Sequence, residues 1–311
     1  MLQTGWQPVP GHHPVRPLGA GAFGEVWEAE REDGARFAFK FLDCRARSAS
    51  MVASEVRMLR SLTALNHPHI VTMHGVHATG RYLVLMLERA DGNLADLHAA
   101  YREEAGTNVP ADHALDLLEQ AALALDFMGT SRHAALPSSH GLQHCDVKPS
   151  NLLLFGDTLK VGDFGLCSGS GWHTHKGGWK GTLPYAAPEL FNGAAVPGTD
   201  QYALAVTFCE LVMGDRVFVS REATGMPIDM TRLREKEFPI ISRALHPYPS
   251  SRWLSCQAFI QALRQALSGS RYERPPARVS PESVREIAQR RTGIMVMRTA
   301  RDVPPPAHAR R

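Results

Sequence analysis

The most constraining feature of the sequence is a short run near its middle, residues 144–154. It reads H-C-D-V-K-P-S-N-L-L-L, and Asp163-Phe164-Gly165 begins twelve residues after Asn151. Average residue usage gives the pattern H-x-D-x-K-P-x-N a frequency of about one in ten million or less at any given position. These two motifs therefore outweigh every other feature in deciding the class of the protein.

A glycine-rich segment, G-A-G-A-F-G-E-V, occupies residues 19–26. A G-x-G-x-x-G run also occurs in dinucleotide-binding folds, where it lies between a strand and a helix. Here the following residues alternate as in a strand and reach a hairpin signal at Asp33-Gly34. This context favours a hairpin folded over a nucleotide, since glycines let backbone N–H groups approach phosphate oxygens. The phosphate-binding candidates are Gly19, Ala20, Gly21, Ala22, Phe23 and Gly24, and Val26 would cap the base.

A lysine interrupts the next apolar segment, Phe37-Ala38-Phe39-Lys40, and Glu55 follows in a segment of helical periodicity. A charge in apolar surroundings costs free energy unless it is paired. We therefore expect Glu55 to pair with Lys40, whose ammonium can then also hold two phosphates. The alternative is that both side chains are exposed, as these residue types usually are.

Periodicity predicts two unlike lobes joined near residues 88–92. The first third contains strand patterns and one helix, over residues 15–42, 50–65, 70–76 and 81–88. The remainder is mainly helical, over residues 94–104, 111–128, 200–213, 233–245 and 255–267. Residues 268–311 contain ten arginines and a Pro-Pro-Pro run. They indicate a solvated or partly disordered tail with a short helix at 281–291; the alternative is a partner-binding or autoregulatory segment.

Composition excludes several classes of protein. The net charge of +3 over 311 residues gives no reason to expect nucleic acid or an acidic membrane as a partner. Five scattered cysteines without a C-x-x-C pair argue against a disulfide framework or a zinc site and favour a reducing compartment. The longest apolar stretch, residues 202–213, is too short to span a bilayer. We therefore expect a cytoplasmic protein.

The motifs at residues 144–151 and 163–165 resemble those of the protein kinase superfamily. The resemblance covers about residues 12–267 and continues through Ala187-Pro188-Glu189, Asp200 and Arg252. It implies that Arg252 pairs with Glu189. It implies an α+β, bilobal fold with a β-rich N-lobe over about residues 12–88 and a helical C-lobe over about 93–267. Lys148 and Gly181-Thr182 resemble the serine/threonine branch, in the style of the eukaryotic-like kinases of bacteria.

The same resemblance implies a reaction and a set of roles. The protein would use ATP and Mg²⁺ to phosphorylate Ser or Thr hydroxyls of protein substrates, with Asp146 as catalytic base. Lys148 would neutralise the transferred phosphate, and Asn151 and Asp163 would offer hard oxygen ligands to Mg²⁺. Further nucleotide contacts would come from Ala38, from the hinge backbone at Glu88 and Ala90, and from Leu153 beneath the adenine. The gatekeeper is expected at Leu87, with Met86 as the alternative.

Cys145 departs from the family pattern, because many kinases have arginine there to meet a phosphorylated activation loop. We therefore expect the loop to reach its working shape by its own packing, using Trp172 and Trp179. The chain between Met128 and His144 is longer than usual and is predicted to be a surface loop. The pairs His67/His69 and His173/His175 lack further metal ligands nearby, which favours structural roles.

Two other functions remain open from the sequence. The first is a pseudokinase scaffold, and it is disfavoured because every key position is filled: Lys40, Glu55, Asp146, Lys148, Asn151 and Asp163. The second is a small-molecule kinase, since fold alone does not fix the substrate; Thr182 and the A-P-E segment favour proteins. Self-association that would permit autophosphorylation stays open as well.

Overall fold

In the computed structural model, alternating large and small side chains over residues 12–43 form three neighbouring antiparallel strands. Gly34, with φ of +84°, closes the predicted hairpin turn, where Asp33 accepts a hydrogen bond of 3.0 Å from the Ala35 N–H. The whole sheet has the order β1-β2-β3-β5-β4: β1 His12–Gly21, β2 Gly24–Arg31, β3 Arg36–Asp43, β4 Met73–Thr79 and β5 Tyr82–Glu88. The structure describes residues 7–21, 24–45, 48–130, 141–164, 181–214, 230–268 and 277–301.

The two faces of this sheet bury different residues, because successive side chains of a strand point to opposite sides. Phe37, Phe39 and Phe41 of β3 pack on the outer face in a small core with Ala29 and Val84. The opposite face carries the cleft residues and the helix α1, Ala49–Leu62, whose Leu59 and Leu62 are buried. The predicted helix over 50–65 is therefore confirmed, although it ends three residues earlier.

A second lobe follows the hinge and is mainly helical. Asn93 begins it with a capping box, in which its side chain accepts from the Asp96 N–H and Asp96 accepts from the Asn93 N–H. The helices are α2 Leu94–Ala100, extended by a π turn over Tyr101–Ala105, then α3 Ala111–Gly129, α4 Thr199–Met213, α5 Phe238–Ala244 and α6 Cys256–Ser268. A small sheet joins β6 Gly92–Asn93, β7 Leu152–Phe155 and β8 Thr158–Val161. The predicted α+β, bilobal fold is confirmed.

The helix α4 is buried on nearly all sides, as its apolar sequence predicts. It begins with Thr199 and Asp200 and packs against α3, α5 and α6. No helix in the described ranges combines the length and apolar character that crossing a bilayer requires.

Two predicted elements have different bounds in the structure. The strand expected over residues 70–76 is β4 at Met73–Thr79, because Ile70 instead forms a parallel bridge to Val161 in the small sheet. The helix expected over residues 233–245 is confined to α5. Pro239 lies in the first turn of α5, where it lacks the N–H that a longer helix would need at that position.

The prediction of a solvated tail is wrong for residues 277–292. Residues Pro281–Arg301 form a long helix, α7, which confirms the expected helix start and extends it by ten residues beyond Arg291. Val284 and Ile287 of α7 are only 3% and 1% exposed. The helix packs against β1, β6 and α2, so it contacts both lobes.

Candidate active site

The loop that carries the central motif is fixed from below by a buried carboxylate. Asp200 at the start of α4 accepts hydrogen bonds from the backbone N–H groups of His144 and Cys145, at 2.7 and 2.8 Å. Burial raises the pKa of the Asp200 carboxyl, whereas the nearby His144 acts to lower it. Cys145 has a φ of +65°, an unusual value for a residue with a side chain. Asp200 therefore stabilises a strained turn directly before Asp146.

The Asp146 carboxylate is held by three neighbours. Lys148 Nζ lies 2.8 Å from its Oδ2, and Asn151 Nδ2 donates to the same oxygen at 2.9 Å and to the Asp146 carbonyl at 2.8 Å. The backbone N–H of Thr182 donates to Oδ1 at 3.2 Å. The Lys148 ammonium also donates to the Thr182 hydroxyl at 2.6 Å. The carboxylate is thus oriented from both sides by residues of the predicted set.

Lys40 and Glu55 are both buried, with 6% and 4% exposure, so the alternative in which they are solvated is wrong. Lys40 Nζ donates a short hydrogen bond to Oδ1 of Asp163, the first residue of the D-F-G motif. Asp163 has a φ of +61° and a partly exposed side chain. Lys40 and one proposed metal ligand, Asp163, therefore meet across the cleft between the lobes. The Lys40–Glu55 ion pair stays a prediction.

The described residues of the glycine-rich segment lie where the β1–β2 pairing ends. Gly19, Ala20 and Gly21 end β1, and Gly24, which opens β2, lies opposite Gly21. Gly24 has a φ of +129°, and a Cβ there would clash with the carbonyl of Phe41, so only glycine fits. Ala22 and Phe23 lie outside the described residues.

Strand register places the expected base-binding residues on one side of the sheet. Val26 is opposite Lys40, and Ala38 is opposite Leu87. Met86 is opposite Phe39 on the other face, which favours Leu87 as the gatekeeper. Leu153, on β7, is partly buried in the second lobe.

The hinge connects β5 to β6. The Glu88 carboxylate accepts two hydrogen bonds of 2.8 Å from Lys160 and one of 2.6 Å from the Thr72 N–H. These contacts tie the end of β5 to the small sheet, and the backbone of Glu88 and Ala90 is the segment proposed to read the adenine edge.

Sequence reasoning missed a charged cluster beside this hinge. Glu28 lies two residues after Val26 on the same face and is only 1% exposed at its side chain. It forms ion pairs with Arg16, Arg36 and Arg89, at 2.6, 3.1 and 2.9 Å. The sequence signal for this cluster was an acidic residue on the cleft-facing side of β2. A carboxylate buried there needs cationic partners, which predicts nearby arginines.

The expected Arg252–Glu189 pair is confirmed. The two guanidinium nitrogens of Arg252 donate to the two carboxylate oxygens of Glu189 at 2.8 Å each, and the arginine side chain is fully buried. Thr199 also donates to Glu189, at 2.8 Å. This bidentate pair anchors the A-P-E segment to the base of the second lobe.

The described histidine pair has the expected structural role. His67 stacks on Phe127 with ring centroids 4.8 Å apart, and His69 Nδ1 lies 3.0 Å from the Leu159 carbonyl. Within the described ranges, no group of three or more His, Cys, Asp or Glu side chains could hold a metal ion. His173 and His175, like Trp172 and Trp179, lie outside these ranges.

A two-lobed fold with this constellation between the lobes defines a protein kinase. The family model for the protein kinase domain matches residues 12–282, and the chain belongs to this family. Curated relatives of the chain are serine/threonine-protein kinases. Serine/threonine-protein kinase PknA of Mycobacterium tuberculosis (strain ATCC 25618 / H37Rv) is 31% identical, covering 86% of this chain and 65% of PknA.

Other relatives extend this picture. Serine/threonine-protein kinase PknF of the same strain is 30% identical over 82% of this chain and 56% of PknF. The crystal structure of the Mycobacterium tuberculosis PknI kinase domain superposes with a TM-score of 0.64 at 28% identity, covering 86% of this chain and 99% of that one. The chain thus spans 65% of the length of PknA and 56% of the length of PknF.

Proposed function

We propose that the protein transfers the γ-phosphate of ATP, with Mg²⁺, to Ser or Thr hydroxyls of protein substrates. The observation that carries this proposal is the Asp146 carboxylate, which Lys148, Asn151 and Thr182 orient in the cleft. Phosphoryl transfer depends mostly on positioning and charge neutralisation, so preorganised groups of this kind are what the reaction needs.

In this mechanism Asp146 accepts a hydrogen bond from the substrate hydroxyl and aims its oxygen at the γ-phosphorus. A new bond forms between that oxygen and phosphorus, and the bond to the β-bridging oxygen breaks, so that ADP leaves with the electron pair. The hydroxyl proton is released towards Asp146. Lys148 remains beside this carboxylate at 2.8 Å and offsets negative charge on the moving phosphoryl group.

The residues around Asp163 fit a magnesium site by their chemistry. Asp163 contributes carboxylate oxygens and Asn151 a side-chain carbonyl, both hard ligands that Mg²⁺ prefers. Bound Mg²⁺ would neutralise phosphate charge at this position. Lys40 already contacts Asp163, so its ammonium lies where phosphate oxygens would meet the metal ligands.

Contacts of Thr182 support a Ser/Thr preference. Its hydroxyl accepts from Lys148 at 2.6 Å while its N–H donates to Asp146 at 3.2 Å. The end of the activation segment is thereby joined to the base, as the resemblance to Ser/Thr kinases implies. The pseudokinase alternative is disfavoured because Lys40, Asp146 and Asp163 are present and lie at the same cleft.

The proposal is tested by incubating the purified protein with γ-labelled ATP and Mg²⁺, with and without a generic basic protein. Label on Ser or Thr of the added protein is the expected result, and mapping of phosphosites also reports autophosphorylation. An absence of label, with nucleotide binding intact, would instead support the scaffold.

A further inference from the structure

The helix α7 lies almost entirely beyond the part of the chain that the kinase family model matches. The match ends at residue 282, whereas α7 runs over Pro281–Arg301. Its side chains are described to residue 292. A helix outside the common domain, packed on both lobes, needs an explanation that the catalytic machinery does not supply.

The first half of α7 is anchored at the hinge. Arg285 Nε donates to Asp91 Oδ1 at 2.8 Å, directly beyond the segment proposed to bind adenine. The next residue along the hinge is Gly92, and a Cβ there would lie 2.8 Å from Val284 Cγ1. Because Gly92 has no side chain, α7 can lie directly against the hinge backbone. The side chains of Val284 and Ile287 on this face of α7 are buried.

The next turn of α7 is anchored on the second lobe. Arg291 donates to the Ala95 carbonyl at 2.8 Å and forms an ion pair of 3.4 Å with the buried Asp96. Both acceptors belong to the first turn of α2. Arg290 makes a separate, exposed ion pair of 3.1 Å with Glu103.

Thr292 reaches the first lobe. Its Oγ1 lies 3.2 Å from the carbonyl of Leu18 and 2.8 Å from the carbonyl of Ala288 in the preceding turn of α7, so two acceptors share its one hydroxyl proton. The β1–β2 register shifts between Pro17 and Gly19, so Leu18 has no partner in the register of that ladder. Leu18 immediately precedes Gly19, the first residue of the glycine-rich turn. The helix thus contacts the strand one residue before the proposed phosphate-binding segment.

A chain of ion pairs forms a second connection between α7 and β1. It runs from Arg285 to Asp91 at 2.8 Å and from Asp91 to Arg89 at 3.9 Å. Arg89 then pairs with Glu28 at 2.9 Å, and Glu28 pairs with Arg16 of β1 at 2.6 Å. Because Glu28 is buried, its arginine partners cannot be lost without a large electrostatic cost.

We propose that α7 is a strap across the mouth of the nucleotide cleft, and that Arg285 and Thr292 are positioning residues for ATP and ADP. The inference rests on the proposed function, since it assigns the cleft to a nucleotide. The strap holds β1 and the hinge in their mutual arrangement before the nucleotide arrives. A protein that already populates the conformation able to bind nucleotide has a higher apparent affinity, because none of the binding free energy is needed to shift the protein into that conformation.

The test measures nucleotide binding directly in the 311-residue chain. Fluorescent mant-ADP is bound, and its release is followed by stopped flow after addition of excess ATP. The variants are Thr292→Val, which keeps the β-branched shape and loses the hydroxyl, and Arg285→Gln, which keeps a polar side chain and loses the charge. Arg290→Gln is the matched control, since among the described residues Arg290 pairs only with Glu103, at the second lobe.

Thr292→Val and Arg285→Gln should each raise the dissociation rate and the Kd of mant-ADP about threefold to tenfold, the scale of one hydrogen bond or ion pair. The KM for ATP should rise similarly, kcat should not fall, and Arg290→Gln should match the wild type. Unchanged or tighter binding in both variants, with thermal unfolding preserved, would overturn the strap. Failure of wild-type protein to bind mant-ADP would overturn the proposed function itself.

Discussion

Lys148 Nζ lies 2.8 Å from Asp146 Oδ2, and the same ammonium donates to the Thr182 hydroxyl at 2.6 Å. One cation therefore connects the proposed base to the end of the activation segment. In this arrangement the geometry of Asp146 depends on Lys148, two residues away in the sequence, and on Thr182, 36 residues away.

Removing the proposed metal ligand or the phosphate-binding lysine should abolish phosphoryl transfer. Asp163→Ala deletes the carboxylate that would bind Mg²⁺. Lys40→Met deletes the ammonium that contacts the Asp163 carboxylate. Autophosphorylation, measured with labelled ATP, should disappear in both variants while circular dichroism and thermal unfolding still report a folded domain. Full activity in a folded, monomeric sample of either variant would show that the site is misassigned.

Activity should depend little on phosphorylation of the activation loop. The residue before Asp146 is a cysteine and therefore offers no guanidinium to bind a phosphate. Cys145 is 3% exposed, and its thiol contacts the Gln143 carbonyl at 3.5 Å. Initial rates on an exogenous protein should be similar for phosphatase-treated and autophosphorylated enzyme.

The control for this comparison replaces loop hydroxyls with alanine at Ser168, Ser170 and Thr174, which lie outside the described residues. Thr182 is left intact because it contacts Lys148. A hundredfold rise on phosphorylation that the alanine variant loses would rule out the cysteine-based explanation.

The buried His113 should make the protein less stable in mild acid. Burial lowers the pKa of His113 from 6.5 to about 4, so between these values the unfolded chain binds a proton that the folded protein does not. Its contribution to the free energy of unfolding should decrease as pH falls from about 6.5 to about 4, by at most about 1.4 kcal/mol per pH unit.

Urea unfolding of wild type and His113→Gln across this range isolates the effect. The stability difference between them should change with pH in the predicted direction. Tyr101→Phe is the matched control, because it removes the 2.7 Å hydrogen bond to His113 Nδ1 but leaves the ring buried. A difference between wild type and His113→Gln that stays constant with pH would contradict the assignment.

Much of the fold could be predicted because local pattern and tertiary structure agree. The hairpin at Asp33-Gly34 could be predicted from its turn residues alone, and the buried helix α4 from its apolar composition alone. The strand at residues 70–76 was misplaced because Ile70 pairs with the distant Val161, a contact that periodicity does not encode.

The site was predictable where a motif fixes residue spacing, as for Asp146, Lys148 and Asn151. The docking of α7 was not, because its burial rests on Val284 and Ile287 within an otherwise arginine-rich segment. The complementary surface includes Gly92, far away in the sequence, whose missing side chain makes room for the helix. The average composition of residues 277–292 predicts an exposed segment, whereas two apolar residues on one face of α7 are enough to dock the helix.

The measurement that tests the central claim most directly is phosphoryl transfer by Asp146→Asn compared with wild type. The amide keeps the shape of the side chain but is a poor proton acceptor, so mant-ADP binding should be nearly unchanged. The initial rate of transfer to an added protein should fall by roughly 10²–10⁴-fold, the usual scale for a positioned acid–base group. Turnover equal to wild type in the folded variant would contradict the assignment of Asp146 as the base.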